Sequence, residues 1–191
     1  MCLSGRLRLQ CKFLTMKLRI RERSNLEQRI IAALIGFFVI LALILYNEAT
    51  FLVFVCILCA LTQYEFYKLL GLDGNQPLTN YGTFCGIILN LLTFFIEKGN
   101  LSGQHYFVMS PLLSLIFFIK LYKKKDIKPF MNIGFTFLGL IYVALPFALL
   151  SVIAMRGGTY NYQIVLGCLL LLWASDIGGY FAGTKFGKRK L

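Results

Sequence analysis

Acidic side chains are scarce in this chain: eight aspartates and glutamates stand against twenty lysines and arginines, and only 15% of its 191 residues are charged. An average soluble domain carries about 25% charged residues, so an ordinary cytosolic globule is excluded. Histidine occurs once, and the six cysteines form no complete metal-ligand set. Cys56 and Cys59 form a CxxC inside an apolar run, but no second cysteine pair or nearby histidine completes a zinc site. Buried cysteine packs as a small hydrophobe, which is the role expected of Cys56, Cys59, Cys85 and Cys168. His105, beside Tyr106, is expected to be a solvated interfacial residue. The first apolar run ends in Tyr46-Asn47-Glu48-Ala49, which lacks the small-x-small site of a cleaved signal peptide. No internal repeat of the kind that marks transporters is present.

What the chain does have is apolar length. Apolar side chains make up 58% of it, and Ile30 to Tyr46, Phe130 to Met155 and Thr159 to Ser175 contain no charge at all. A helix needs roughly 17 to 25 such residues to cross a bilayer core. The pattern predicts an all-α polytopic membrane protein of about six transmembrane helices: Ile30 to Tyr46, Ala49 to Tyr64, Tyr81 to Ile96, His105 to Tyr122, Phe130 to Met155 and Tyr160 to Ala182. Pro111 and Lys120 interrupt the fourth. With a cytoplasmic N-terminus, eighteen of the twenty bases fall on the cytoplasmic segments, and only Lys98 and Arg156 fall outside. Short cytoplasmic loops retain Lys and Arg, so this split supports both span count and orientation. It also accounts for the net charge of +12 without a nucleic acid partner. Residues 1–29 read as a basic cytoplasmic leader, with Met16 a second start site, and residues 30–191 as a transmembrane domain. Ser24 and Glu27 have the spacing of a capping box at the first helix.

Two acids outside the last span have bland expectations. Glu65 is expected to pair with Lys68 one turn later, in an interfacial belt with Tyr64 and Tyr67 at the headgroups. Asp126 sits among five lysines, Lys120 to Lys128, and is expected to form a solvated pair with Lys125.

The last stretch carries the most information: Trp173-Ala174-Ser175-Asp176-Ile177-Gly178-Gly179-Tyr180-Phe181-Ala182-Gly183-Thr184-Lys185-Phe186-Gly187-Lys188. An acid at the end of a span is expensive in hydrocarbon, and is paired or functional. In a helix, Gly179, Gly183 and Gly187 recur every four residues beside Asp176 and Tyr180. Two readings stay open on these residues alone. In one, the glycines are a helix-packing face and Asp176 hydrogen-bonds to a neighbour. In the other, they open a cavity at the membrane surface, where Asp176 binds a divalent cation and the lysines attract phosphates. Magnesium suits the second, since it takes one or two carboxylates and completes its octahedron with water and phosphate oxygens.

Trp173-Ala174-Ser175-Asp176, followed by Gly179-Tyr180-Phe181, Gly183, Phe186-Gly187-Lys188 and Leu191, resembles the W-A-S-D-x-x-A-Y-x-x-G-x-x-F-G-K-x-K-L stretch of phosphatidate cytidylyltransferases, the CDP-diacylglycerol synthases. Upstream, Glu65-Phe66-Tyr67-Lys68-Leu69 resembles the family's E-F-x-x-L. Gly139-Leu140-Ile141-Tyr142-Val143-Ala144-Leu145-Pro146 is similar to its G-x-x-Y-v-x-L-P span, and Gln28-Arg29-Ile30-Ile31 to its opening into the first helix. Gly179 stands where alanine is usual, and Thr184 where arginine is common.

The resemblance implies a multi-pass enzyme of the bacterial inner membrane that joins CTP to phosphatidate, releasing diphosphate with Mg²⁺. Asp176 would be the catalytic and metal residue, and Lys185 and Lys188 would bind substrate phosphates. The implied partners are CTP, phosphatidate and the bilayer, with a homodimer allowed and no nucleic acid. The family's S-P-K-K-T-x-E-G segment and its S-x-x-K-R-x(4)-K-D signature, with H-G-G and D-R-x-D, are not present. On that ground the chain is expected to be an N-terminal part, inactive by itself. The rival expectation is a non-catalytic multi-span protein, either a transporter or a lipid-binding scaffold. It leaves the coincidence of tryptophan, aspartate, tyrosine and spaced glycines unexplained.

Overall fold

The computed structural model describes residues 27–28, 30–72, 74–123, 126 and 128–187. The capping residue Ser24, the leader before it and Lys188 lie outside these. Among the described residues there is no strand, and the chain runs helix after helix. They are α1 (Ile30–Tyr46), α2 (Glu48–Leu72), α3 (Thr79–Glu97), a 3₁₀ segment (Gly103–Val108) running into α4 (Met109–Leu121), then α5 (Pro129–Gly139), a π turn (Leu140–Ala144), α6 (Leu145–Ala154) and α7 (Tyr162–Phe186).

Five continuous helices are long and apolar enough to cross a membrane: Glu48–Leu72, Thr79–Glu97, Gly103–Leu121, Pro129–Ala154 and Tyr162–Lys185. The sixth, α1, is a shorter apolar helix, at the lower end of the spanning range. Large apolar side chains are exposed along all of them, Phe38, Val53, Leu61, Phe118, Ile141 and Leu171 among them. In water such a surface would aggregate; against lipid tails it is the natural outer face. The chain is an all-α polytopic membrane protein.

The chain divides into two units, residues 1–43 and 44–191. In the first, α1 presents Ile31, Leu34, Ile35, Phe38, Val39 and Ala42 along one apolar groove. The second holds the packed bundle. Its core joins Cys59, Cys85, Met109, Ile116, Ile133, Leu140 and Ala144.

The ends of this bundle are tied differently. At one end, Lys98, just after α3, forms an ion pair with Glu48 at the start of α2, as two antiparallel neighbours require. At the same end Tyr160 donates from its hydroxyl to the Ile44 carbonyl at 2.8 Å and packs its ring on Phe51. The opposite end gathers the α2–α3 loop, the end of α4 and the start of α5. Pro111 does not break α4, because it sits in the first turn, where its missing N–H has no intrahelical partner to lose.

A polar seam runs between α2, α3 and α5. Gln63 Nε2 donates to the Tyr67 hydroxyl at 3.0 Å and to the Gly82 carbonyl at 3.1 Å. The Tyr67 hydroxyl donates to the Thr136 carbonyl at 2.7 Å, and Asn90 Nδ2 donates to the Gly86 carbonyl at 2.9 Å. Hydrogen bonds between membrane helices hold polar groups that hydrocarbon cannot solvate. Here the expectation for Tyr67 is corrected: it is 1% exposed, not part of a headgroup belt. The reason is steric. A Cβ on Gly82 would come within 2.5 Å of the Tyr67 hydroxyl, and one on Gly139 would collide with the Tyr67 ring. Two glycines on different helices leave room for one phenol. Tyr64, by contrast, is half exposed, and α2 continues eight residues beyond it to Leu72. Glu65 makes no ion pair with Lys68.

Candidate functional site

Helix α7 carries the sequence motif. Asn161 caps it, its side chain accepting from the Gln163 backbone N–H at 3.2 Å, which satisfies one of the amides left free at a helix start. From there 25 residues run without a break to Phe186. Gly187 follows in extended conformation, its N–H bonded back to the Gly183 carbonyl at 3.0 Å.

Asp176 and Lys185 are both exposed. Nine residues separate them, about 13.5 Å along the axis and half a turn round it, so they address different faces. Tyr180 and Phe181 are exposed at 69% and 61%, their rings edge to face. A Cβ added at Gly178, Gly179 or Gly183 would meet nothing within 4 Å. Gly179 and Gly183 therefore pack against no described residue of this chain, while Gly187, expected to continue the stripe, lies past the helix end against the Gly183 carbonyl. Gly179 and Gly183 lie open beside Asp176, and Gly183 and Tyr180 share its face by helical spacing. Among the described residues no three of His, Cys, Asp and Glu converge as a metal site would need. Asp176 offers a single carboxylate, with no neighbouring bulk on the glycine side.

A second polar cluster stands at the end of the bundle where the α4–α5 junction lies, and the sequence alone did not reveal it. Lys120, in the last turn of α4, places Nζ 2.6 Å from Asp126 Oδ2, and the two side chains are 1% and 2% exposed. The same ammonium donates to the Gln76 carbonyl. Asn132, one turn into α5, donates to Asp126 Oδ1 at 2.6 Å and accepts the Gln76 backbone N–H at 2.7 Å. The Lys128 backbone N–H also reaches Asp126 Oδ1, at 3.3 Å. Leu78 N–H donates to Thr136 Oγ1 at 3.0 Å, one turn further along α5. The expectation of a solvated Asp126 is thereby corrected: it is buried against Lys120, and two helices and a loop enclose the pair; Lys125 lies outside the described residues. Burial by itself would raise the Asp126 carboxyl pKa. Hydrogen bonds from Lys120 and Asn132, the Lys120 charge and the Lys128 amide outweigh it and hold the group below its ordinary value. One signal was available in the sequence: Asp126 is the only acid in a lysine run, six residues from a lysine that interrupts an apolar span.

The cysteines match their expected packing role, Cys59 and Cys85 being buried and Cys56 and Cys168 half-buried, all as free thiols. His105 is exposed and bonded only locally, its Nδ1 lying 2.9 Å from the Ser102 carbonyl.

The fold and the motif on α7 define a polytopic membrane protein with an acid on its final described helix. Residues 27–191 match the cytidylyltransferase family, and the chain belongs to it. It is 29% identical over 188 residues to the phosphatidate cytidylyltransferase of Haemophilus influenzae, covering 87% of this chain and 63% of that protein. It is 25% identical over 173 residues to the phosphatidate cytidylyltransferase of Bacillus subtilis, covering 87% and 61%. The chain thus spans less than two thirds of the length of these relatives. No solved structure matches it.

Proposed function

We propose that this chain belongs to an enzyme that joins CTP to phosphatidate in a bacterial inner membrane, giving CDP-diacylglycerol and diphosphate. The observation that carries the reading is Asp176: a lone, exposed carboxylate on an apolar helix, flanked by open glycines, in a family named for cytidylyl transfer. In the reaction, a phosphate oxygen of phosphatidate attacks the α-phosphorus of CTP. The bond from that phosphorus to the bridging oxygen breaks, and diphosphate leaves.

Little covalent work falls to the protein. Asp176 supplies one hard oxygen ligand, which fits Mg²⁺, an ion that fills most of its octahedron with water and phosphate oxygens. When bound, the ion offsets charge on the attacking and leaving oxygens. Gly179 and Gly183 keep bulk away from Asp176, so that two phosphorylated substrates can reach it. Lys185, on the other face and nearer the end of α7, neutralises phosphate at a different point from Asp176; Lys188 is proposed for the same role.

The test is Asp176→Asn in protein made from the full coding sequence, with CDP-diacylglycerol formation measured across Mg²⁺ concentrations. Asparagine keeps the volume and loses the charge. Turnover should fall by about two orders of magnitude while the detergent-solubilised protein stays folded. Turnover near wild type with the same Mg²⁺ dependence would remove Asp176 from the site.

A further inference from the structure

We infer that the α4–α5 junction is a docking surface for the headgroups of anionic phospholipids, presented by Lys123 and Lys128 on either side of the buried Lys120–Asp126 pair. This goes beyond the transfer reaction and does not depend on it.

The argument starts from where the junction's charges go. Asp126 is the only acid between Lys98 and Asp176 in the chain, and its carboxylate is spent inside the protein. Oδ2 takes the Lys120 ammonium, and Oδ1 takes the Asn132 amide and the Lys128 backbone N–H. Lys120 is likewise used up, on Asp126 and the Gln76 carbonyl. The pair cancels within the protein, so its carboxylate is not available to the lysines that face outward. Lys123 and Lys128 are exposed.

The flanking surface has the matching chemistry. Tyr122 is 80% exposed and stacks on Phe118, and Phe130 is 73% exposed. Exposed aromatics beside lysines at the end of apolar helices are the anchors of a membrane interface. Lysines held there attract anionic headgroups and not zwitterionic ones. The internal pair also fixes the backbone: the Lys128 amide is bound to Asp126, and Asp126 to α4 and α5. Asp126 therefore links the backbone of both lysines to α4 and α5, its Oδ1 accepting the Lys128 N–H and its own N–H donating to the Lys123 carbonyl.

The experiment uses the intact protein in nanodiscs of phosphatidylcholine doped with phosphatidylglycerol. Lipids retained after mild detergent stripping are counted by native mass spectrometry. Wild type should retain phosphatidylglycerol in excess over its share of the bilayer. Replacing both side chains, Lys123→Gln with Lys128→Gln, leaves the buried pair intact and should reduce that excess by about fivefold for each lysine. Asp126→Asn raises the formal charge by one, yet weakens the link from Lys120 through Asp126 to the Lys128 amide, and should also reduce the excess.

An unchanged excess in the double variant would overturn the inference. So would a gain in Asp126→Asn, which would mean that net charge alone governs retention. If the double variant keeps its lipid and instead loses affinity for CTP, the surface serves the nucleotide and the inference fails. Should Asp126→Asn not fold, the double variant decides the matter, because its two side chains make none of the junction's internal contacts.

Discussion

The phenol of Tyr67 fills the space that a side chain on Gly139 would need, 72 residues further along the chain. A Cβ there would strike the ring itself, and the ring cannot withdraw without giving up its 2.7 Å bond to the Thr136 carbonyl.

Gly139→Ala should therefore destabilise the protein by about 1–3 kcal/mol, the usual range for overpacking a tight site. Gly82→Ala should do the same from the α3 side. Gly134→Ala, one turn from Leu138 on the same helix, meets nothing within 4 Å and should be neutral or slightly stabilising. Thermal unfolding in detergent compares the three. Equal behaviour of Gly134→Ala and Gly139→Ala would show that the cradle is not tight.

Removing one member of the Lys120–Asp126 pair leaves the other charge buried without its counterion. Lys120→Met or Asp126→Leu alone should cost about 3–5 kcal/mol. The double variant should cost clearly less than the sum, since no orphan charge remains. A double-mutant cycle on the same unfolding assay measures the coupling. Additive losses would mean that the two groups do not act as a pair.

The lowered pKa of Asp126 makes stability depend on pH with a definite sign. A carboxyl whose folded pKa lies below its unfolded value binds fewer protons when folded. Its contribution is complete above the ordinary value of 3.8 and fades as pH falls through the lower, folded value. Melting temperature should drop across that acidic window in wild type, and less steeply in Asp126→Asn. Parallel curves for the two proteins would assign the acid sensitivity elsewhere.

Glu48 and Lys98 meet at one end of the bundle, and Gln76, Lys120 and Asp126 at the other. Single cysteines placed at Lys98 and Gly157 should react with impermeant reagents from the face opposite to one at Lys123. With the orientation expected from the bases, Lys123 faces the cytoplasm. Labelling of Lys98 and Lys123 from one face would dismantle the six-helix order.

The helices were legible because hydrocarbon imposes a simple rule: a long run without charge has few other uses. Each span expected from the apolar runs is a helix in the structure, and the 3₁₀ entry into α4 explains how Pro111 is accommodated. What escaped detection depends on partners distant in sequence. Tyr67 looks like an interfacial tyrosine until Gly82 and Gly139 are seen to enclose it. Lys120 looks like a charge interrupting a span until Asp126 and the Gln76 carbonyl close round it. The π turn at Leu140–Ala144 has no periodicity of its own to announce it. The motif on α7 was legible as a pattern of residue types. Its geometry was not, because nothing in spacing says that the glycines beside Asp176 would face open space within this chain.

The hydroxyl of Tyr67 also bears on the order in which the protein can be built. Helices α2 and α3 leave the ribosome before α5 and can satisfy Gln63 between themselves, through the Gly82 carbonyl. The Tyr67 hydroxyl cannot place its proton so early, because its acceptor is the Thr136 carbonyl on α5. A polar group inside a bilayer has no water to fall back on. The early hairpin therefore enters the membrane unfinished, and the insertion of α5 is the event that completes it. Released chains truncated just before residue 129 should hold a hairpin that proteases degrade, whereas chains that extend past α5 and α6 to residue 155 should survive.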